Sequence, residues 1–277
     1  MKHCHFTHLC NELPFLKQKL PFLYDNFDQL IFYDLNIYAP YSGGKISFST
    51  DGSHEYIQDF PDPDNKITLI ERKDISSVGI RPGVGTHDKR RMYIVASAYV
   101  RDDMDAFWDI GADEFFYKDA IEEVEGIFNS DKNVNSIYFD VVTFVRDYRF
   151  MINPPISQTK AHAPDYLAKV ARHKKGNVYG HGDIGLHYKN LRRAERSILL
   201  HFTAITKKRV LFKLSPPERY ILDEFWDAWN GFDESKIGDE VYGYPYMHMN
   251  PLLKIGIQRF KGEYPDYMNL DEMPGEK

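Results

Sequence analysis

The sequence predicts an α/β fold: a mixed, mainly parallel sheet flanked by helices, followed by a more irregular, helical C-terminal part. Three observations predict it. Extended and helical patterns alternate through the first half of the chain, as in sheets assembled from strand-helix-strand units. Short apolar runs stop at polar residues: Leu30-Ile31-Phe32-Tyr33 at Asp34, and residues 106–110 at the turn Gly111-Ala112-Asp113-Glu114. That is the form of a strand buried on both faces. Finally, 277 residues at 43% hydrophobic and 15% aromatic content are enough to bury such a core.

Each element follows in order. After the Asn11-Glu12 dipeptide, Leu13, Leu16, Leu20, Leu23, Tyr24 and Phe27 recur at helical spacing, and Pro21 is expected to break or kink the segment. The run ending at Asp34 puts that carboxylate at a strand's carboxyl end. A loop rich in Tyr, Pro and Gly covers 38–44, and 45–48 reads as a strand. Ser49-Thr50-Asp51-Gly52-Ser53 suits a turn and a helix N-cap ahead of Tyr56 and Phe60. Residues 66–71 predict a strand, Met92, Val95, Ala96 and Tyr99 a helix preceded by Lys89-Arg90-Arg91. Ile121, Val124, Ile127 and Phe128 mark another helix, and 134–145 another extended run. In the second half, 167–172 and 177–179 read as extended and 192–205 as helical. Ser215-Pro216-Pro217-Glu218 carries a capping box with proline at the first helical position, and its helix is expected to end near Gly231. Asn153-Pro154-Pro155 interrupts the pattern and sets a boundary between lobes at 150–165. The segment 262–277 is polar, acidic and poor in core residues, the composition of a loose tail.

Charge excludes several classes of partner. With 35 Lys and Arg against 41 Asp and Glu, the net charge of -6 offers no bulk attraction for nucleic acid or an anionic membrane. Any anion must be held locally. Two cysteines, Cys4 and Cys10, read as free thiols in a reducing compartment. No apolar run approaches the ~20 residues of a transmembrane helix and no secretory pattern is expected at the start, so the predicted location is cytoplasmic. Gly-x-Gly-x-x-Gly, P-loop and His-Glu-x-x-His patterns do not occur, which argues against dehydrogenase, P-loop and zincin chemistry.

The richest segment chemically is Asp109-Ile110-Gly111-Ala112-Asp113-Glu114-Phe115, where a strand ends in adjacent carboxylates. Hard divalent cations prefer oxygen ligands, and Mg²⁺ typically takes one or two carboxylates together with substrate phosphate oxygens. The alternative is that Asp113 and Glu114 cap a helix starting near Tyr117. Eleven histidines are present, and His173, His181, His187 and His201 share one stretch. His181 and His187 could meet Asp113 at a metal, although surface or core histidines are commoner. Lys174-Lys175 and Lys207-Lys208-Arg209 read as solvated faces. Trp226, Trp229, Tyr242, Tyr244 and Tyr246 could form a sugar platform, the tryptophans fitting core packing better.

Taken in order, several motifs resemble family 2 glycosyltransferases with the GT-A fold. They are Asn11-Glu12, the strand ending at Asp34, the Ser-Thr-Asp-Gly-Ser run at 49–53 and Ala112-Asp113-Glu114-Phe115 after a Trp-containing strand. The basic, histidine-containing stretch 169–187 follows, then His187-Tyr188 with Arg193, Glu195 and Ser197. The resemblance spans residues 6 to about 202. It implies that Asn11, Glu12 and Asp34 line a pocket for base and ribose, with Lys89 and Arg90 near the diphosphate. Asp51, Ala112, Asp113, Lys169 and Arg172 complete the implied nucleotide-sugar-binding set. Asp113 matches the last Asp of an Asp-x-Asp motif for Mn²⁺ or Mg²⁺, with His187 or His181 as a later ligand. Gly111 stands where relatives have the first Asp of that motif.

The resemblance further implies a UDP- or GDP-linked donor, a glycan or other hydroxyl acceptor, and inversion, which requires a base opposite the leaving group. Asp183 is the first candidate for that base and Glu114 the second. Residues 1–160 would form the nucleotide-sugar half and 161–261 the acceptor-binding, metal-completing half. Two rivals stand beside this reading. One is a metal-dependent hydrolase using His181, Asp183, His187 and Asp113. The other is a non-catalytic nucleotide-sugar-binding protein, for which Gly111 is the motivating feature.

Overall fold

The computed structural model describes residues 1–34, 49–70, 85–153, 168–175, 190–206, 230–231, 233–237, 240–241 and 255–274. Among them run β1 (His3–Leu9), α1 (Leu13–Asn26), β2 (Gln29–Asp34), α2 (Ser53–Gln58), β3 (Ile67–Leu69) and α3 (Gly85–Tyr99). Then follow β4 (Ala106–Asp109), β5 (Glu114–Phe116), α4 (Asp119–Ser130), β6 (Ser136–Val145), β7 (Phe150–Asn153) and β8 (Ala168–Arg172). The last strands are β9 (Leu191–Ala204), β10 (Glu240–Val241) and β11 (Ile255–Arg259). The strands form one mixed sheet in the order β10-β11-β7-β6-β8-β4-β1-β2-β3, with β9 pairing β6 and β5. β3, β2, β1 and β4 are mutually parallel. β8 is antiparallel to both β4 and β6, so β6 runs in the direction of the parallel set.

The parallel strands are buried on both faces because their side chains alternate between two cores. In β2, Leu30 and Phe32 join a cluster with Leu16, Leu20 and Leu23 of α1 and Val124 and Phe128 of α4. Ile31 and Tyr33 turn instead to Met92, Val95 and Ala96 of α3. In β4, Trp108 faces the first core and Phe107 the second. Each fully buried side chain of this size adds roughly 1.5–3 kcal/mol. The sheet is thus sandwiched between α1 and α4 on one face and α3 on the other.

Three expectations are corrected. α1 is not broken by Pro21; it continues to Asn26, because Pro21 and Lys17, whose carbonyl loses its donor, both lie on the exposed face where water can satisfy it. Residues 192–205, expected as a helix, form most of the strand β9. Between paired positions, β6 advances two residues from Tyr138 to Asp140 while β9 advances five from Arg193 to Ile198. The surplus bulges outward, its Glu195 and Arg196 N–H groups donating to Glu123 Oε1 of α4 at 2.7 and 2.9 Å. Burial at Ala194 and Ser197 then follows a three-residue spacing that imitates a helix.

The third correction is the segment expected as a loose tail. Met268 and Met273 are buried with Phe15, Phe115, Phe144 and Phe202, and Tyr264 and Tyr267 pack on that cluster. Tyr267 also stacks on Phe22 at 4.0 Å between ring centroids. The strands β1, β5, β7, β10 and β11 are not expected from the sequence. The expected elements at 45–48, 177–179 and 215–229 lie outside the described residues, as does the lobe boundary beyond Asn153.

Candidate functional site

In an open parallel sheet, ligands collect outside the carboxyl ends of the strands where the winding reverses. Here the chain winds from β1 through β2 to β3 on one side and returns through α3 to β4 on the other side of β1. The reversal therefore lies between β1 and β4. Asn11-Glu12 follows β1 and the carboxylate-rich turn follows β4, so both flank it.

The first group of residues stitches the end of β1 to the loop before α2. Asn11 has φ +57°, a left-handed conformation that asparagine tolerates better than most residues. Its N–H donates to Ser49 Oγ at 2.8 Å, and its Oδ1 accepts from Thr50 N–H at 2.8 Å. Glu12 N–H donates to Ser53 Oγ at 3.1 Å, while its carbonyl accepts from Phe15 and Leu16 at the start of α1. Asp51 caps two helices: Oδ2 accepts from Leu13 N–H at 2.9 Å and Oδ1 from Ser53 N–H at 3.0 Å. Asp34 is fully buried at the end of β2, accepting from Ser49 N–H and Oγ at 3.0 and 2.6 Å and facing His54 Nδ1 at 3.0 Å. Burial raises its pKa although the Ser49 and His54 contacts favour the carboxylate. Cys10, buried beside them, is pushed up to about 12 by burial and by the negative charges of Asp34, Glu12 and Asp51.

The second group is built on the turn after β4. Glu114 N–H donates to Gly111 O at 3.1 Å, and Gly111 N–H donates back to Glu114 Oε2 at 2.7 Å. A Cβ added at Gly111 would stand 3.0 Å from Asp113 Oδ1, so the tight turn leaves little room for a side chain there. Lys169 of β8 donates to Glu114 Oε1 and Oε2 at 2.7 and 2.8 Å. Burial raises the Glu114 pKa, but Lys169 and His201 outweigh it and hold the carboxyl at about 2. A carboxylate held so low is a weak proton acceptor. Burial disfavours the charged form of Lys169, yet Glu114, Asp109 and Asp113 together raise its pKa. His201 Nε2 lies 3.7 Å from Asp113 Oδ2, and Tyr93 of α3 donates to Asp109 Oδ2 at 2.8 Å.

Lys19 joins the two groups. It is fully buried in α1 and donates to Gly111 O at 2.7 Å. Burial lowers its pKa to about 7 against the pull of Glu114, Asp113 and Glu12. Asn11, Glu12, Asp34, Asp51, Ala112, Asp113, Glu114 and Lys169 thus fall along one edge. Arg172 does not. It pairs with Ala106 at the opposite end of β4, about 10 Å along the strand from Lys169. There it donates to Val134 O, Phe128 O and Asp131 O at 3.1, 2.9 and 3.3 Å, closing the end of α4. Of the described residues expected in the nucleotide-sugar set, Arg172 is thus set apart from the edge where the others gather. Lys89 and Arg90 lie in the N-terminal half of α3, within about two turns of Tyr93, and their side chains are outside the described residues, as are His181, Asp183 and His187.

Of the residues implied for Mn²⁺ or Mg²⁺, Asp113 lies on this turn and His181 and His187 are outside the described residues; the neighbouring Glu114 does not fit as a further ligand. Both Glu114 oxygens are taken by an ammonium group, Gly111 has no carboxylate, and no group of three His, Cys, Asp or Glu among the described residues is arranged for a metal. Sequence reasoning missed Ser49, His54, Lys19, Tyr93 and His201 as partners in this network. Ser49 and His201 stood in the motif at 49–53 and the histidine stretch without a partner assigned, and Lys19 carried a signal of its own: a charge three residues after Leu16 and four before Leu23, on the apolar stripe of its helix.

No helix among the described residues is long and apolar enough to cross a membrane. No protein-family model matches the sequence, and no curated protein is similar to it. Among solved structures, S. aureus TarS residues 1–349 is similar, with a TM-score of 0.42 and 11% identity over 85% of this chain and 68% of that one.

Proposed function

We propose that the chain is a glycosyltransferase that binds a UDP- or GDP-linked sugar at this edge and transfers the sugar to a glycan or other hydroxyl acceptor. The carrying observation is the arrangement of Asn11-Glu12, Asp34 and the Asp109 to Glu114 turn around the reversal point between β1 and β4, with Lys19 under the influence of both groups. In this reading the loop containing Ser49 and Asp51, fixed through Asp34 and Asn11, holds base and ribose. The diphosphate lies between the N-terminal half of α3, with Lys89 and Arg90, and the turn after β4. Transfer breaks the bond between the anomeric carbon and the diphosphate oxygen, and cations at that oxygen stabilise the charge that develops. Asp183 takes the acceptor proton on the opposite face in an inverting displacement. Glu114, with both oxygens engaged, orients Lys169 and serves as neither base nor nucleophile. Residues 1–160 hold the donor and 161–261 the acceptor.

A thermal-shift series with nucleoside diphosphates and nucleotide-sugars tests the reading. At a hundredfold excess over Kd a ligand stabilises the fold by about 2.7 kcal/mol, roughly 5–10 °C for a chain of this size. A rise with at least one UDP or GDP compound, and release of the nucleoside diphosphate from the matching sugar donor, is the expected result. No rise with any nucleotide would sink the proposal. Binding without turnover against a broad acceptor panel would move the chain to the non-catalytic alternative, and ester hydrolysis with no nucleotide requirement to the hydrolase.

A further inference from the structure

The acidic turn after β4 already contains its counter-cation. Lys169 Nζ sits 2.7 and 2.8 Å from the two Glu114 oxygens, and Oε2 also accepts from Gly111 N–H at 2.7 Å. A divalent ion at its usual ~2.1–2.4 Å from a carboxylate oxygen would have to evict a buried ammonium or sit against it at close range. Either is unfavourable, because like charges repel strongly where water is excluded. The backbone reinforces this. Lys19 ties Gly111 O down from α1 at 2.7 Å, and a Cβ at Gly111 would meet Asp113 Oδ1 at 3.0 Å and Glu114 Oε2 at 3.5 Å. A side chain at that position would therefore press on the Asp113 and Glu114 carboxylates, which would have to shift to admit it.

Resting on the donor-binding reading above, we propose that Lys169, locked to Glu114, takes the place of a divalent cation at this turn, so that a nucleoside diphosphate binds this edge without metal. Lys169, reaching the turn from β8, is the cation suited to meet the diphosphate: its side chain keeps 12% of its exposure while Glu114 anchors it. Glu114 is a positioning residue in this arrangement, fixing the direction of the ammonium rather than touching the phosphates.

The test uses the unmodified protein. UDP and GDP are titrated by calorimetry in excess EDTA and again in millimolar Mn²⁺, and Mn²⁺ alone is titrated by electron paramagnetic resonance. The expected result is a Kd that changes less than threefold between the two buffers and no Mn²⁺ bound at 0.1 mM by the protein alone. A tenfold or greater loss of affinity in EDTA overturns the inference and leaves the donor reading standing. So does a bound Mn²⁺ signal that disappears in Glu114→Gln. Absence of nucleotide binding in both buffers overturns the donor reading and the inference together. Glu114→Gln, which keeps size and one acceptor, is expected to weaken UDP or GDP at least fivefold while Lys169 loses its anchor, and unchanged affinity counts against the positioning role.

Discussion

Replacing Lys169 by methionine isolates the energetics of the turn. The substitution keeps length and apolar stem but removes the ammonium, leaving the Glu114 carboxylate with Gly111 N–H at 2.7 Å as its remaining partner in the turn. Glu114 is held at about 2 against an ordinary 4.5, which corresponds to about 3 kcal/mol in favour of its charged form. Breaking a buried ion pair by removing one partner costs about 3–5 kcal/mol. The two approaches agree, so a loss of about 3–4 kcal/mol at pH 7 is expected. The sign with pH follows from linkage. In the native protein this contribution is present above the unfolded carboxyl pKa and is lost as pH falls through about 2. In Lys169→Met, burial still disfavours the Glu114 charge while the contribution of Lys169 is gone and that of His201 remains, so the penalty is expected to be largest above neutrality and to relax as the group protonates in acid. Urea unfolding followed by tryptophan fluorescence at pH 7 and pH 4 measures both. The double variant with Glu114→Gln should recover about 2 kcal/mol of the loss, the coupling expected for residues in direct contact. A loss under 1 kcal/mol at pH 7, or one that is unchanged at pH 4, would refute the account of the turn.

Two further outcomes follow from other parts of the structure. Arg172→Ala removes three hydrogen bonds to carbonyls and a guanidinium stacked 4.4 Å over Phe128, and should cost about 1.5–3 kcal/mol in urea unfolding. Its nucleotide affinity should stay within twofold, and a tenfold loss would put Arg172 back in the donor site. Lys19 releases its proton near pH 7 when folded but near 10.5 when unfolded, so between those values the unfolded chain binds more protons and stability rises with pH. The slope is up to about 1.4 kcal/mol per pH unit. Lys19→Met should flatten it, and parallel urea-midpoint profiles from pH 7 to 9.5 would contradict the assignment.

The sequence by itself determined the local elements whose burial is uniform. β2 and β4 are legible because the consecutive residues Leu30 to Tyr33 and Ala106 to Trp108 all meet a core, so their apolar runs stand out, and α4 is legible because one face alone is apolar. The same logic located Asp34 and the carboxylates after β4, since a strand's end is where apolar character stops. β1 escaped because this central strand carries His3, His5 and Thr7 in buried positions. His3 finds its partners across the fold, Trp108 Nε1 donating to His3 Nδ1 at 2.9 Å and Glu125 Oε1 lying 3.0 Å from His3 Nε2, and such partners have no trace in a local pattern. β9 escaped because its bulge reproduces helical spacing, and the segment after Gly262 because its few aromatic and methionine residues bury well only against Phe22, Phe115 and Phe144.

Tertiary structure alone decided which charges belong together. Lys19, Glu114 and Lys169 are distant in sequence, yet two hydrogen-bonding lysines and a glycine turn make one unit of them. Lys169 and Arg172 are near neighbours in sequence on one short strand, and its direction sends the first to the carboxyl edge and the second to the far end of the sheet. Periodicity reports how one segment meets water. Pairing of charges depends on strand order and register, which arise only when the whole chain has folded.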